Sequence, residues 1–431
     1  MSHGPSIWRR GRPRARRTVA PVVTLALASG LLAACGGSSG GTPELVWYTN
    51  PDAGGQAKVA EECSTDDYTI TTQVLPQDAG QQRIQLARRL AAGDPEIDLM
   101  SLDPPFTAEF ADAGYLADIP DDLEQTFSDR AFESAVTAAT WEDELVVAPF
   151  WSNTQVLWYR KAFVEKTDLD MSQPVTWKQI IEAADQNDGK IAVQANKYEG
   201  YSVWINALIT GAGGQIAEKT EEGADADITI DSDAGVAAAE VIQALAESDA
   251  APSDISVSNE GTAGTTFGGD QGAFLVNWTY IWGNYGDDRL GDDIGFARYP
   301  RTVEGEESRP PYGGIGIGVS SSSDQEELAI QALDCLTSPE NQAINAELTG
   351  NMPSSPEGYD QPAVKELFPA ELITLFQESL EAAAPRTLTP YWSDISGAVQ
   401  ATWHPPATVD QETPEESAQY IEDVLQGRSL L

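Results

Sequence analysis

Histidine is nearly missing from this chain of 431 residues. Of its two histidines, His3 lies in an arginine-rich leader, and only His404, in "TWHPP", lies in the body. That scarcity excludes Ser-His-Asp and Cys-His nucleophilic machinery and His-rich metal sites. The spacing G-x-x-x-x-G-K-[ST] is missing too, and G-x-S-x-G occurs only inside the Gly and Ser run 36–41. "DADITIDSDAG" is rich in aspartate but lacks the ligand order of a calcium loop, so Asp231 and Asp233 read as caps of a helix over 235–246. Positive charge is scarce: 25 Lys and Arg stand against 68 Asp and Glu, a net charge of −43. A polyanion of this size does not bind nucleic acid or an anionic membrane surface by charge. The acid excess reads as solvated surface, with a cationic ligand as the alternative. Long apolar runs are also wanting. The uncharged stretch 19–34 is interrupted by Pro21 and Gly30 and falls short of the ~20 residues that span a bilayer.

The leader is distinctive. Arg9, Arg10, Arg12, Arg14, Arg16 and Arg17 precede that stretch, and no acid occurs before residue 35. A basic segment, an apolar segment and small residues at a boundary are the features of an export signal. Leu32-Ala33-Ala34-Cys35 resembles a bacterial lipobox. The resemblance implies cleavage before Cys35 and acylation of that residue, and two or more acyl chains anchor stably where one does not. The Gly and Ser residues 36–41 then form part of a flexible tether, 35–43. A plain secreted or membrane-spanning protein is the alternative, and the export route stays open between the general and the twin-arginine pathways.

Besides Cys35 the chain has only Cys63 and Cys335. An even pair in an exported protein suggests a disulfide. The apolar spacing around each places both on inward faces of helices. Two separate buried thiols are the other reading.

Strands and helices alternate from "ELVWYT" (44–49) through a helix at 55–63, "YTITTQVLP", a helix around Ile84, Leu86, Ala87 and Leu90, "EIDLMSLD", and a helix over 105–113. Such alternation predicts a parallel α/β sheet, whose ligands lie beyond the carboxyl ends of the strands. Asn50 and Asp52 follow the first strand, and Asp103 ends the third. Two apolar strands then flank "FWSN", which reads as a passage between lobes. A second alternating block follows, then a Pro-rich and charged linker, "RTVEGEESRPP", and a strand at "YGGIGIGVS".

The ordered set "DLMSLD", "WSNTQVLWYRKAFV", "AFLVNWTYIW" and "PYGGIGIGVSSSS" resembles family 1 extracellular solute-binding proteins, the two-lobed receptors of ABC sugar importers. "VLPQDAGQQRIQLARRL", "LMSLDPPFTAEFADAG", "KIAVQANKYEGYSVWINALITGAGGQ" and "APRTLTPYW" are similar to actinobacterial trehalose-binding lipoproteins. The resemblance implies an α/β fold of periplasmic-binding-protein type. Its first lobe comprises 44–149 and 313–352, and its second 150–312 and 353–431. Three crossings join them, near 149–151, 310–313 and 350–356. Cys63 and Cys335 then share one lobe, which favours their pairing.

Carried over residue by residue, the resemblance implies a disaccharide site. Asn50, Asp52, Gln82 and Asp103 come from the first lobe, and Trp151 and Asn153 from the first crossing. Trp278, Tyr280 and Arg386 come from the second lobe, and Gly313 and Gly314 allow close backbone approach. Tyr198, Glu199 and Tyr201 form a second tier, with Trp204 as core. Each has a plainer reading: Asp103 as a helix cap, Trp278 and Tyr280 as core, Trp151 as hinge packing, Arg386 as a structural ion pair. Some relatives carry an acid where Asn153 stands and an aromatic where Ile315 stands, which bears on which disaccharide fits. The implied protein is a monomeric, membrane-anchored, extracytoplasmic receptor without catalysis or cofactor. Its ligand is a disaccharide, foremost trehalose, delivered to a permease with cytoplasmic ATPases. Receptors for maltose or other α-glucosides, receptors for a cationic solute, and surface glycoside hydrolases are the rivals.

Overall fold

A computed structural model describes residues 41–431. The leader, Cys35 and most of the tether lie outside the described residues. The strands that make the main sheet are β1 (Glu44–Thr49), β2 (Thr69–Val74), β3 (Leu99–Leu102), β4 (Ala148–Arg160), β5 (Lys190–Ala192), β6 (Gly272–Trp278), β7 (Ile294–Ala297) and β8 (Tyr312–Val319). The helices that matter here are α1 (Gly55–Glu62), α2 (Ala79–Leu90), α3 (Trp177–Gln186), α4 (Glu199–Gly211), α5 (Asp233–Glu247), α6 (Glu260–Phe267), α7 (Glu326–Leu336), α8 (Pro339–Thr349) and α9 (Trp392–Trp403).

The sheet runs β2-β1-β3-β8-β4-β6-β5, with β7 also on β4. β1 is parallel to β2 and β3, as strand–helix alternation requires, while β8 is antiparallel to β3 and β4. β3 is buried along its whole length, and so is β8, because helices or other elements cover both faces of each.

β4 corrects the expectation of two strands broken at "FWSN". It is one strand of 13 residues. Its first part pairs with β8, from Ala148 opposite Ile317 to Thr154 opposite Tyr312. Its second part pairs with β6 and β7, from Gln155 opposite Trp278 to Arg160 opposite Ile294. The polar residues that suggest a loop are instead buried and satisfied internally. Ser152 Oγ lies 2.9 Å from the Tyr312 hydroxyl, and Thr154 Oγ1 donates to the Pro311 carbonyl at 2.9 Å. One strand is thereby registered to both halves of the sheet.

Cys63, just past α1, is joined to Cys335 of α7 by a disulfide with a Cα–Cα distance of 5.7 Å. Asn341 of α8 donates to the Cys335 carbonyl at 2.8 Å, so three helices meet at the bridge. α3 opens on a capping box, with Thr176 accepting from the Gln179 backbone and Gln179 reaching back. α5 starts two residues earlier than its periodicity suggests, with Ser232 at the N-cap. Asp233 sits in the first turn, where its charge suits the helix dipole. The helix expected over 105–113 is a tight turn, Pro104–Phe106, followed by a helix, Thr107–Asp112. Among the described residues no helix is long and apolar enough to cross a membrane.

Candidate functional site

Asp103 owes its position to its neighbours. Leu99 to Leu102 are buried in the sheet, and Pro104 then starts a helical turn, so the chain must leave the sheet at Asp103. Its side chain makes no capping bond to that turn. It reaches Arg386 instead, accepting from Nη2 at 2.8 Å. Arg386 donates Nη1 to Glu199 Oε1 at 2.7 Å. Glu199 begins α4, and it also accepts from Trp392 Nε1 at 2.8 Å and from Ser396 Oγ at 2.6 Å, both on α9. The Arg386 side chain is only 4% exposed, against 24% for Asp103 and 12% for Glu199. Arg386 Nε is buried and has no hydrogen-bond partner among the described residues. Burial pushes the Asp103 carboxyl above its ordinary value, against the pull of Arg386, and the Glu199 charge adds to the rise.

Another buried acid acts on Tyr198, the residue before Glu199. Glu260 is the first residue of α6, behind the N-cap Asn259. Burial raises its carboxyl above the ordinary value, while its own backbone N–H and the Tyr198 phenol favour ionisation. Burial likewise raises the phenols of Tyr198 and Tyr280, and the Glu260 charge raises both further. Burial also raises Asp394 of α9, opposed by Arg83 of α2. Arg83 itself is held by Glu109 through two hydrogen bonds of 2.5 and 2.6 Å.

The residues of the first crossing sit where β4, β6 and β8 meet. Asn153 Oδ1 accepts from Thr279 Oγ1 and from the Thr154 backbone N–H, each at 2.9 Å. Asn153 is 5% exposed, so its amide oxygen serves the junction itself. Trp151 is 9% exposed and its Nε1 is buried without a partner among the described residues. Gly314 has φ +141, and a Cβ there would lie 2.3 Å from the Trp151 carbonyl oxygen, so only glycine fits. The half-buried Trp278 ring fills the space beside Gly313, where a Cβ would come within 2.8 Å of it.

Other expected site residues have structural work. Asp52 is exposed, and its carboxylate accepts from the backbone N–H groups of Gly54 and Gln56 at 2.8 and 2.9 Å, which caps α1. Gln82 donates to the Pro76 carbonyl at 2.8 Å. Asn50 Oδ1 is buried without a partner among the described residues, and the Asn50 carbonyl accepts from Gln56 Nε2 at 3.0 Å. Tyr201 and Trp204 are core residues of α4, and the Tyr201 hydroxyl donates to the Trp403 carbonyl at 2.9 Å.

Residues 48–343 match the model of the family described as bacterial extracellular solute-binding protein. The chain belongs to that family. Solved structures agree on the fold. The maltose-bound MalE3 of T. maritima is 22% identical, with a TM-score of 0.77 over 90% of this chain and 100% of its own. The GacH receptor of Streptomyces glaucescens, solved unliganded and with acarbose, is 19% identical, with a TM-score of 0.74 over 90% and 98%. The cyclic alpha-maltosyl-1,6-maltose binding protein of Arthrobacter globiformis is 20% identical, with a TM-score of 0.70 over 90% and 100%. This solute-binding protein therefore has the two-lobed α/β architecture.

The sequence ranks Glu199 below the other candidates and does not mark Glu260, Trp392, Ser396 or Asp394 in this solute-binding protein. Glu199 and Glu260 each sit in the first turn of a helix, where an acid is ordinary. Nothing local marks them. The usable signal for Trp392 and Ser396 is their place just after Arg386, in and beyond "APRTLTPYW".

Proposed function

We propose that this solute-binding protein is the receptor of an ABC sugar importer, held outside the membrane by an acylated Cys35, and that it captures a disaccharide, foremost trehalose. Its lobes are residues 44–149 with 313–352 and residues 150–312 with 353–431. The observation that carries this reading is Arg386: a buried cation that joins Asp103 to Glu199 and keeps a spare donor at Nε. Trp151 Nε1, at the first crossing, is also buried without a partner among the described residues, and such donors suit a ligand rich in oxygen acceptors. Trp151, Trp278 and Tyr280 offer ring faces for the apolar sides of a sugar. Structural relatives solved with maltose and acarbose support a saccharide ligand. Trehalose is favoured by the stretches around Gln82, Asp103, Tyr198 and Arg386 that resemble trehalose-binding lipoproteins.

The mechanism is capture without chemistry. The lobes bind sugar, bend about the crossings and bury it, driven by contacts available to both lobes only when shut. The closed surface then docks on a permease whose cytoplasmic ATPases power import. Calorimetry of the exported protein against trehalose, maltose, longer α-glucans and polyamines tests the reading. Tight binding of trehalose, without the steep fall of affinity with salt that a cationic solute shows and with sugar recovered intact, is the expected result. Binding of maltose without trehalose overturns the choice of sugar. Binding of polyamines alone, with affinity falling steeply with salt, overturns the sugar reading.

A further inference from the structure

The three charges at Arg386 are not held alike. Glu199 is pinned from behind by the Trp392 indole, the Ser396 hydroxyl and the Arg386 guanidinium. Trp392 is fully buried and Ser396 is 2% exposed, so this end belongs to the packed junction of α4 and α9. Asp103 is different. It stands at the end of β3, its side chain is 24% exposed, and its carboxylate accepts one hydrogen bond, from Arg386. One end of the bridge is fixed and the other is releasable.

The arrangement also sets the electrostatic cost of release. If Asp103 were the sole partner of Arg386, separation would leave a buried guanidinium uncompensated, a costly state. With Glu199 in place, separation leaves the neutral Glu199–Arg386 pair intact and breaks only the charge-assisted bond to Asp103. Residues 103, 199 and 386 come from distant parts of the chain, 283 positions apart for Asp103 and Arg386 and 187 for Glu199 and Arg386.

We propose that the Asp103–Arg386 pair is an ionic latch between the two lobes in the ligand-free receptor, and that Glu199 is the positioning residue that keeps the guanidinium aimed at Asp103. This rests on the lobe boundaries given above. A solute that enters the cleft meets a bond of moderate strength that it replaces or joins, so the latch sets the balance between open and shut receptors before any ligand arrives.

The test measures lobe separation without ligand. Spin labels at Val74 and Val257, both exposed, are introduced through a non-natural residue that leaves the native disulfide untouched. The distance distribution of the exported protein is recorded in low and high salt. At low salt the wild type should populate a short distance; Asp103→Asn should raise the ratio of long to short by about tenfold, the worth of one charge-assisted hydrogen bond, and Glu199→Gln should lower it, because separation then leaves Arg386 uncompensated. High salt should open the wild type and leave Asp103→Asn unchanged. Asp103→Glu, which keeps the charge, should restore much of the short population. A purely structural role for Glu199 does not produce a shift of Glu199→Gln toward the short distance. If Glu199→Gln fails to fold by circular dichroism, Asp103→Asn decides alone. Superimposable distributions for wild type and Asp103→Asn at low salt overturn the latch. No sugar is present, so this outcome is independent of whether the protein binds trehalose.

Discussion

A glutamate that burial holds above its ordinary pKa costs the fold stability wherever it must ionise. Glu260 is such a group. Its contribution is fully present below the unfolded value of about 4.5 and is lost as pH rises through its higher folded value. Glu260→Gln should therefore raise the melting point of ligand-free protein at neutral pH by a few degrees and flatten its dependence on pH above 4.5. Thermal unfolding followed from acid to neutral pH checks both. A fall in melting point confined to neutral pH would show that the carboxylate makes a favourable interaction instead. Arg386 carries the opposite expectation. Arg386→Ala leaves Asp103 and Glu199 without their shared cation, so sugar affinity should fall at least tenfold and the ligand-free melting point should fall too. Calorimetry and thermal unfolding together read this out. Trp278→Ala should weaken binding by a similar factor through loss of a ring face, with unfolding as the control for lobe integrity. Normal affinity in both variants would place the sugar elsewhere.

At the scale of elements, the disulfide offers the sharpest expectation. It closes a loop with a sequence separation of 272, for which the chain-entropy model gives up to ~5 kcal/mol. Replacing both cysteines by serine should lower the denaturation midpoint without changing the fold, as measured by denaturant titration. An unchanged midpoint would mean that strain or residual structure offsets the constraint. The parallel strands and their helices were legible in the sequence because apolar residues recur at strand and helix periods on either side of clear turns. β4 was not. Ser152, Asn153 and Thr154 read as a loop, and Tyr312, Thr279 and Pro311, to which their side chains bond, lie 126 to 160 positions away. The site divides along the same line. Asp103 and Arg386 stand out in the text, one at a strand end and the other in a distinctive motif. That they touch each other, and that Glu199 holds Arg386, depends on contacts no local window contains. Asp52 follows a strand as a ligand residue would, yet it caps α1, and the two roles look the same in a sequence.

For the molecule as a whole, trehalose at ~100 times its dissociation constant should stabilise the fold by ~2.7 kcal/mol, a rise of a few degrees in melting point. The net charge of −43 adds a separate effect: self-repulsion in the compact state should be relieved by moderate salt, so the ligand-free melting point should rise between low and physiological ionic strength. Differential scanning calorimetry separates the two, because the first needs sugar and the second does not. The order of strands in the sheet carries one more consequence, which concerns time. β8, at residues 312–319, sits between β3 and β4, and the disulfide partner of Cys63 is Cys335. As the chain is made from its amino end, β1, β2 and β3 emerge early, yet the strand that covers the edge of β3 comes more than two hundred residues later. At ordinary rates of synthesis that is a delay on the order of ten to fifty seconds. Throughout it the nascent protein carries a bare sheet edge and an unpaired thiol, so its safe production depends on whatever shields that edge until the last third of the chain appears.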